Sequence, residues 1–110
     1  MAAGKYNITI DQGSDFSLQL TVKEADTAKD LTGYSARAQL RPTITSSTLT
    51  ATFTCTITNA SGGILKMELG NTATAALQPG QYYYDLEIYT GSLVQRLVQG
   101  GATVRAEVTR

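Results

Sequence analysis

Apolar and polar residues alternate in short runs along almost the whole chain, with clusters of glycine, asparagine, serine and proline between them. The longest run sits late. Tyr82, Tyr84, Leu86 and Ile88 fall on one face, and Tyr83, Asp85, Glu87 and Tyr89 on the other, the period of a half-buried antiparallel strand. Pro79-Gly80 supplies a turn into it, and Gly91-Ser92 is a two-residue hairpin turn out of it. That turn sets Leu86 opposite Leu97 and Glu87 opposite Arg96, whereas a Thr90-Gly91 turn would pair Asp85 with Arg96. Either register puts Leu93 and Leu97 on the Leu86 and Ile88 face, although Gln95 and Gln99 fall there too. Gly100-Gly101 is expected to break the run, at a bulge or where a strand changes sheets. Beyond it Ala102, Val104, Ala106 and Val108 alternate with Thr103, Arg105, Glu107 and Thr109 as a last strand ending at Arg110.

The same alternation predicts the earlier strands. Residues 1–4 form a short small-residue arm, and residues 5–10 a first strand with Tyr6, Ile8 and Ile10 on one side. After the turn cluster 11–14, Phe16, Leu18, Leu20 and Val22 alternate with Ser17, Gln19, Thr21 and Lys23. Residues 24–29 read as a polar loop tip, and Leu31, in the turn 30–33, is expected to tuck into the core. Tyr34, Ala36, Ala38 and Leu40 then face inward, with Ser35, Arg37, Gln39 and Arg41 outward, until Pro42 stops the strand. A Thr/Ser loop leads to Ala51, Phe53, Cys55 and Ile57, which alternate with threonines. A turn at 59–63 precedes a strand over 64–69, in which Met67 and Leu69 face in and either Ile64 or Leu65 joins them. Residues 71–77 are the one helical candidate, with Asn71 as its N-cap, too short to hold without tertiary packing.

Seven to eight short strands with turns at this spacing predict an all-β, antiparallel two-sheet sandwich with one short connecting helix, an open barrel being the alternative. The length of 110 residues fits a single domain over 1–110 that builds its core without disulfide or metal. Nine basic residues balance nine acidic ones and form no basic stripe, which argues against nucleic acid or an anionic membrane as partner. Cys55 is the sole cysteine, so no intrachain disulfide forms, and its inward position makes it a small hydrophobe rather than a reactive thiol. No apolar run has transmembrane length and no basic-then-apolar leader opens the chain, which fits a protein made and kept in a cytoplasm, or exported only inside something larger.

Candidate chemistry is sparse. Without histidine and with one cysteine, the chain lacks thiolate–imidazole catalysis and zinc-site ligands. Asp11 with Asp15, or Glu24 with Asp26, follows no calcium-loop spacing. Asp85 and Glu87 share a strand face about 6–7 Å apart, but Arg96 is a simpler partner for them than a sugar. Gly62-Gly63 and Gly100-Gly101 lack the helix and Lys-Ser/Thr of a phosphate loop. No catalytic, cofactor or metal residue is therefore assigned. Tyrosine supplies a large, rigid, amphipathic contact, so the outward Tyr83 and Tyr89, with Arg96 and Arg105, are the candidate interface residues.

Several stretches resemble a family of small virion proteins of tailed bacteriophages. They are residues 10–16 (Ile-Asp-Gln-Gly-Ser-Asp-Phe), 30–41 (Asp-Leu-Thr-Gly-Tyr-Ser-Ala-Arg-Ala-Gln-Leu-Arg), 84–87 (Tyr-Asp-Leu-Glu), 94–100 (Val-Gln-Arg-Leu-Val-Gln-Gly) and 103–110 (Thr-Val-Arg-Ala-Glu-Val-Thr-Arg). Their order and spacing match across nearly the whole chain, and the first half is also similar to the amino-terminal domains of baseplate upper-fibre proteins. The resemblance implies an immunoglobulin-like sandwich that joins pieces of a tail, baseplate or fibre. It carries no catalytic residues. The implied partners are other virion proteins and further copies of this chain, with no nucleic acid, membrane, small-molecule substrate or cofactor. The implied location is the virion, after synthesis in the bacterial host cytoplasm. The ending at residue 110 favours a standalone adaptor over a fibre with a distal shaft. A capsid decoration or cement protein and a carbohydrate-binding module are the alternatives.

Overall fold

Side chains that alternate between apolar and polar can be half-buried only if strands pair and stack, and the chain does both. The computed structural model describes residues 4–24 and 26–108. In order it contains β1 (Gly4–Lys5), β2 (Ile8–Asp11), β3 (Phe16–Thr21), β4 (Lys23–Glu24), β5 (Thr27–Ala28), β6 (Ser35–Arg41), β7 (Ala51–Asn59), β8 (Ile64–Leu69), α1 (Asn71–Ala75), β9 (Gly80–Thr90) and β10 (Leu93–Arg105). Hydrogen bonding runs β1-β10-β9-β6-β7-β8-β3, with β2 also on β10 and the β4-β5 hairpin apart.

β7 turns this one sheet into two layers. Its residues 51–53 pair with 38–40 of β6, whereas from Thr54 onward its partner is β8. One layer is therefore β10-β9-β6 with β1 and β2 alongside, and the other is β8, β3 and the later half of β7. Ile10, Leu40, Leu65, Met67, Leu86 and Ile88 are fully enclosed between them. Phe53 packs tilted against Phe16 at 6.0 Å between ring centroids and edge-on to Tyr84 at 6.4 Å. The Tyr82 hydroxyl donates to the Gln78 carbonyl at 2.7 Å, near the start of β9 and just past α1. A tyrosine bonding a few residues back at this corner is a hallmark of immunoglobulin-like sandwiches. The fold is all-β and of that kind. It is not a barrel, because β3 and the β10 end of the sheet remain unpaired with each other among the described residues.

The predicted inward faces of β3, β6, β7 and β9 hold, Leu31 is buried, and Leu65 rather than Ile64 is the enclosed residue of β8. Four expectations of the strands change. First, residues 5–10 are not one strand. β1 and β2 are separated at Tyr6-Asn7, both run parallel to β10, and Tyr6 is 53% exposed. Gly100 permits this crossing, because a Cβ there would lie 2.2 Å from the Tyr6 carbonyl oxygen.

Second, Gly100-Gly101 does not interrupt β10, and the irregularity lies between Arg96 and Val98. The Gly91-Ser92 turn pairs Thr90 with Leu93 and Glu87 with Arg96 as expected, but Leu86 then faces Val98, not Leu97. One inserted residue reverses which side chains face in. Leu93, Gln95 and Leu97 thus keep one face by alternation, whereas past the bulge Val98 faces Leu86, Gln99 faces the outward Asp85, and Ala102 and Val104 are buried. Leu93, which the alternation placed inside, lies past the core at the hairpin tip and is 55% exposed.

Third, the last strand ends at Arg105, with Ala106 exposed and Val108 90% exposed, and Thr109 and Arg110 lie outside the described residues. Residues 1–3 of the predicted arm also lie outside them, and Gly4 belongs to β1. Fourth, the polar tip contains the β4-β5 hairpin, which turns through Asp26 at φ 65°.

The helix forms where expected, but Asn71 is not its N-cap. Gly70 holds that position without a side-chain hydrogen bond. Asp15 takes the role from across the fold, its Oδ1 accepting the Asn71 backbone N–H at 2.8 Å and Nδ2 at 3.1 Å. The buried Thr74 hydroxyl donates to the Ser14 carbonyl at 2.8 Å, and Gln12 Nε2 donates to the Leu77 carbonyl at 2.8 Å. The turn between β2 and β3 thus supplies the packing that so short a helix needs.

Candidate interaction surface

Strand alternation sends Tyr83, Asp85, Glu87 and Tyr89 of β9 outward, between Arg37, Gln39 and Arg41 of β6 and the polar side chains of β10. The bulge decides which β10 residues join them. Strict alternation would separate Arg96 from Arg105, whereas the inserted residue leaves both on the outer face. All four predicted interface residues therefore share one face of one layer.

They do not form one cluster. Tyr83 and Arg96 line a groove of about 510 Å³, together with Gln39, Arg41, Asp85 and Gln99. The exposed Ile44, in the loop after β6, lies at the same groove. Tyr89 lies toward the hairpin tip, opposite Ser35 and Val94, with the Arg37 guanidinium 4.5 Å from its ring centroid. Arg105 lies toward the far end of β10, where its Nε donates to Asp11 Oδ1 of β2 at 2.7 Å.

The polar side chains of this face are largely committed to one another. Arg37 bonds Glu87 from the directly opposite position on β6. Arg96 Nε reaches Asp85 Oδ2 at 3.2 Å, although its backbone partner is Glu87. The backbone thus follows the Gly91-Ser92 register while the ion pair is the one expected from the alternative turn. Glu87 already has Arg37, so Arg96 takes the diagonal carboxylate. Arg41 donates to Gln39 Oε1 at 2.8 Å, and Thr103 to Gln81 Oε1 at 2.9 Å. Such exposed pairs contribute about 0.2–1 kcal/mol each and act more on register than on stability.

Ionisation follows the same contacts. The Arg105 hydrogen bond holds the Asp11 carboxyl below the usual carboxylate range, and Asp11 in turn raises Arg105. Asp85 and Glu87 each receive a guanidinium, an arrangement of register-setting ion pairs rather than of a proton donor beside a nucleophile. Cys55 is half-buried and its thiol is pushed up to about 11 by burial, so it is protonated near neutrality. Among the described residues no cluster of three or more potential metal-ligating side chains occurs, and no helix is long and apolar enough to cross a membrane. Sequence reasoning missed the part of β6 in this surface. Its signal was present, since Arg37, Gln39 and Arg41 were placed outward, but the strand that lay beside β9 was not known.

No protein family matches the chain, and no curated protein does. Among solved structures, InlP of Listeria monocytogenes is similar at 16% identity and a TM-score of 0.52, over 94% of this chain and 27% of that one. A family 123 glycoside hydrolase from Clostridium perfringens aligns at 11% identity and a TM-score of 0.49, over 100% of this chain and 24% of that one. A voltage-gated sodium channel β-subunit structure aligns at 10% identity and a TM-score of 0.40, over 99% of this chain and 98% of that one. The chain spans about a quarter of the first two. At these identities the likeness concerns the fold alone.

Proposed function

We propose that the chain is a structural virion protein of a tailed bacteriophage, an oligomeric adaptor that docks tail, baseplate or fibre components through protein–protein contacts. One observation carries this reading: stretches at 10–16, 30–41, 84–87, 94–100 and 103–110 resemble small phage virion proteins in order and spacing. The geometry is compatible with it. A sandwich with an uncovered sheet edge can add a neighbour's strand, and a polar outer face of mutually paired charges can meet a partner without strong long-range attraction or repulsion. In this reading the protein works without catalytic residue, cofactor, nucleic acid or membrane, and its place is the assembled particle. Repetition there multiplies weak contacts into firm attachment. Mass spectrometry of gradient-purified particles of the phage that encodes the chain is the test. The expected result is the chain at a copy number comparable to other tail or baseplate proteins. Its absence from mature particles overturns the reading.

A further inference from the structure

β3 ends the hydrogen-bonded path of the sheet and pairs only with β8 among the described residues. The direction of its unpaired backbone groups follows from the two hydrogen bonds of Val22. Val22 donates its N–H to the Gly63 carbonyl, on the β8 side, at 2.7 Å, and its carbonyl accepts the Lys29 N–H at 2.8 Å on that same side. Backbone groups of successive strand residues alternate in direction. Phe16, Leu18, Leu20 and Val22 therefore bond inward to the sheet, while Ser17, Gln19 and Thr21 aim their N–H and C=O groups off the edge. The β4-β5 hairpin does not cover this edge, because β5 leads into Lys29, which bonds Val22 beside Gly63 on the β8 side. Edge strands are ordinarily protected by proline, a bulge, charge along the strand or a covering element. β3 has no proline or charge, and its pairing with β8 is regular throughout. The inward row Phe16, Leu18 and Leu20 is only half-buried against the core.

We propose that this edge is the contact between two copies of the chain, which pair antiparallel through β3 about a two-fold axis at Gln19. The sequence of the edge selects that register. It places Gln19 opposite Gln19, Ser17 opposite Thr21, Leu18 opposite Leu20 and Phe16 opposite Val22, each apolar residue facing an apolar one. At both ends it sets Asp15 against Lys23 of the other copy, a pair of opposite charges made twice. Moving the axis to Leu18 would leave Lys23 opposite Gly13 and Asp15 opposite Thr21, so both ion pairs would be lost. An isologous contact closes on itself, giving a dimer with one continuous sheet across the axis rather than a fibre. The proposal rests on the adaptor reading for its biological setting but on β3 alone for its geometry, so the two can fail separately.

Cross-linking of the full chain in a Cys55→Ser background tests it. Paired residues across the axis lie with Cα atoms about 5.5 Å apart, within disulfide reach. Gln19→Cys is expected to form a disulfide-linked dimer with itself. Ser17→Cys should cross-link to Thr21→Cys when the two variants are mixed, and much less with itself. In sedimentation equilibrium, Lys23→Asp, which lies on the exposed edge away from the core, should weaken dimerisation by about tenfold. A monomer at millimolar concentration with no Gln19→Cys cross-link overturns the proposal. So does a dimer that Lys23→Asp leaves unchanged, or one in which Ser17→Cys links to itself as readily as to Thr21→Cys.

Discussion

Tyr84 joins the core to the crossing of the first strands. It is 4% exposed, packs edge-on to Phe53, and donates its hydroxyl to the Tyr6 carbonyl at 2.6 Å. The Tyr6 carbonyl sits where only a glycine at position 100 leaves room for it. Burial, and then the neighbouring Tyr6, push the Tyr84 phenol up to about 12 from its ordinary value of 10.0. A raised folded-state value gives a contribution to stability that is complete below pH 10 and lost as pH rises toward 12. Ultraviolet titration should show one phenol ionising last, together with the loss of native structure, and Tyr84→Phe should remove that step. The same variant leaves the Tyr6 carbonyl without its donor and should cost about 0.5–1.5 kcal/mol in a denaturant titration. An unchanged titration curve in Tyr84→Phe would contradict this account.

At the scale of elements, α1 is held by its neighbours rather than by its own sequence. Asp15→Ala removes the acceptor of the Asn71 N–H and should destabilise the protein by about 0.5–2 kcal/mol. That corresponds to a melting point lower by several degrees, readable by circular dichroism. Asn71→Ala keeps the backbone N–H and should cost less, and the reverse ranking would restore Asn71 as the cap. The sequence showed that a helix forms here but not what caps it, because Asp15 is distant along the chain and meets Asn71 only once β3 and β8 have paired. Strand faces were legible for the same reason that their partners were not. Alternation is a local signal, and it placed Leu40, Phe53, Leu86 and Ile88 inside correctly. It does not mark an inserted residue, so the bulge at Leu97 showed only as the misfit of Gln99, which it moves to the outer face. Nor does it show that Tyr6 and Asn7 pass over Gly100 and Gly101, where the Gly101 N–H donates to Asn7 Oδ1 at 3.0 Å. The outer surface was half legible. Tyr83, Tyr89 and Arg96 were expected outward, whereas their links to Arg37, Arg41 and Gln39 depend on β6 lying beside β9.

At the scale of the molecule, the sandwich measures 42 × 27 × 24 Å and carries no net charge. The turn at 30–34, the turn at 59–63 and the hairpin turn at 91–92 gather at one end, and the turn at 12–15, the loop at 42–50 and α1 at the other. The β3 edge and the β10-β9-β6 outer face lie on separate layers, so contact with a second copy through one leaves the other open to a different protein. Such a division suits an adaptor, which must hold its own kind and another component together. The measurement that tests the adaptor claim most directly is a cryo-electron microscopy reconstruction of the virion, with this sandwich fitted to density. The account predicts the chain at the tail, neck or baseplate, in contact with other virion proteins there. Density confined to the capsid shell, or particles that contain no such sandwich, would contradict it.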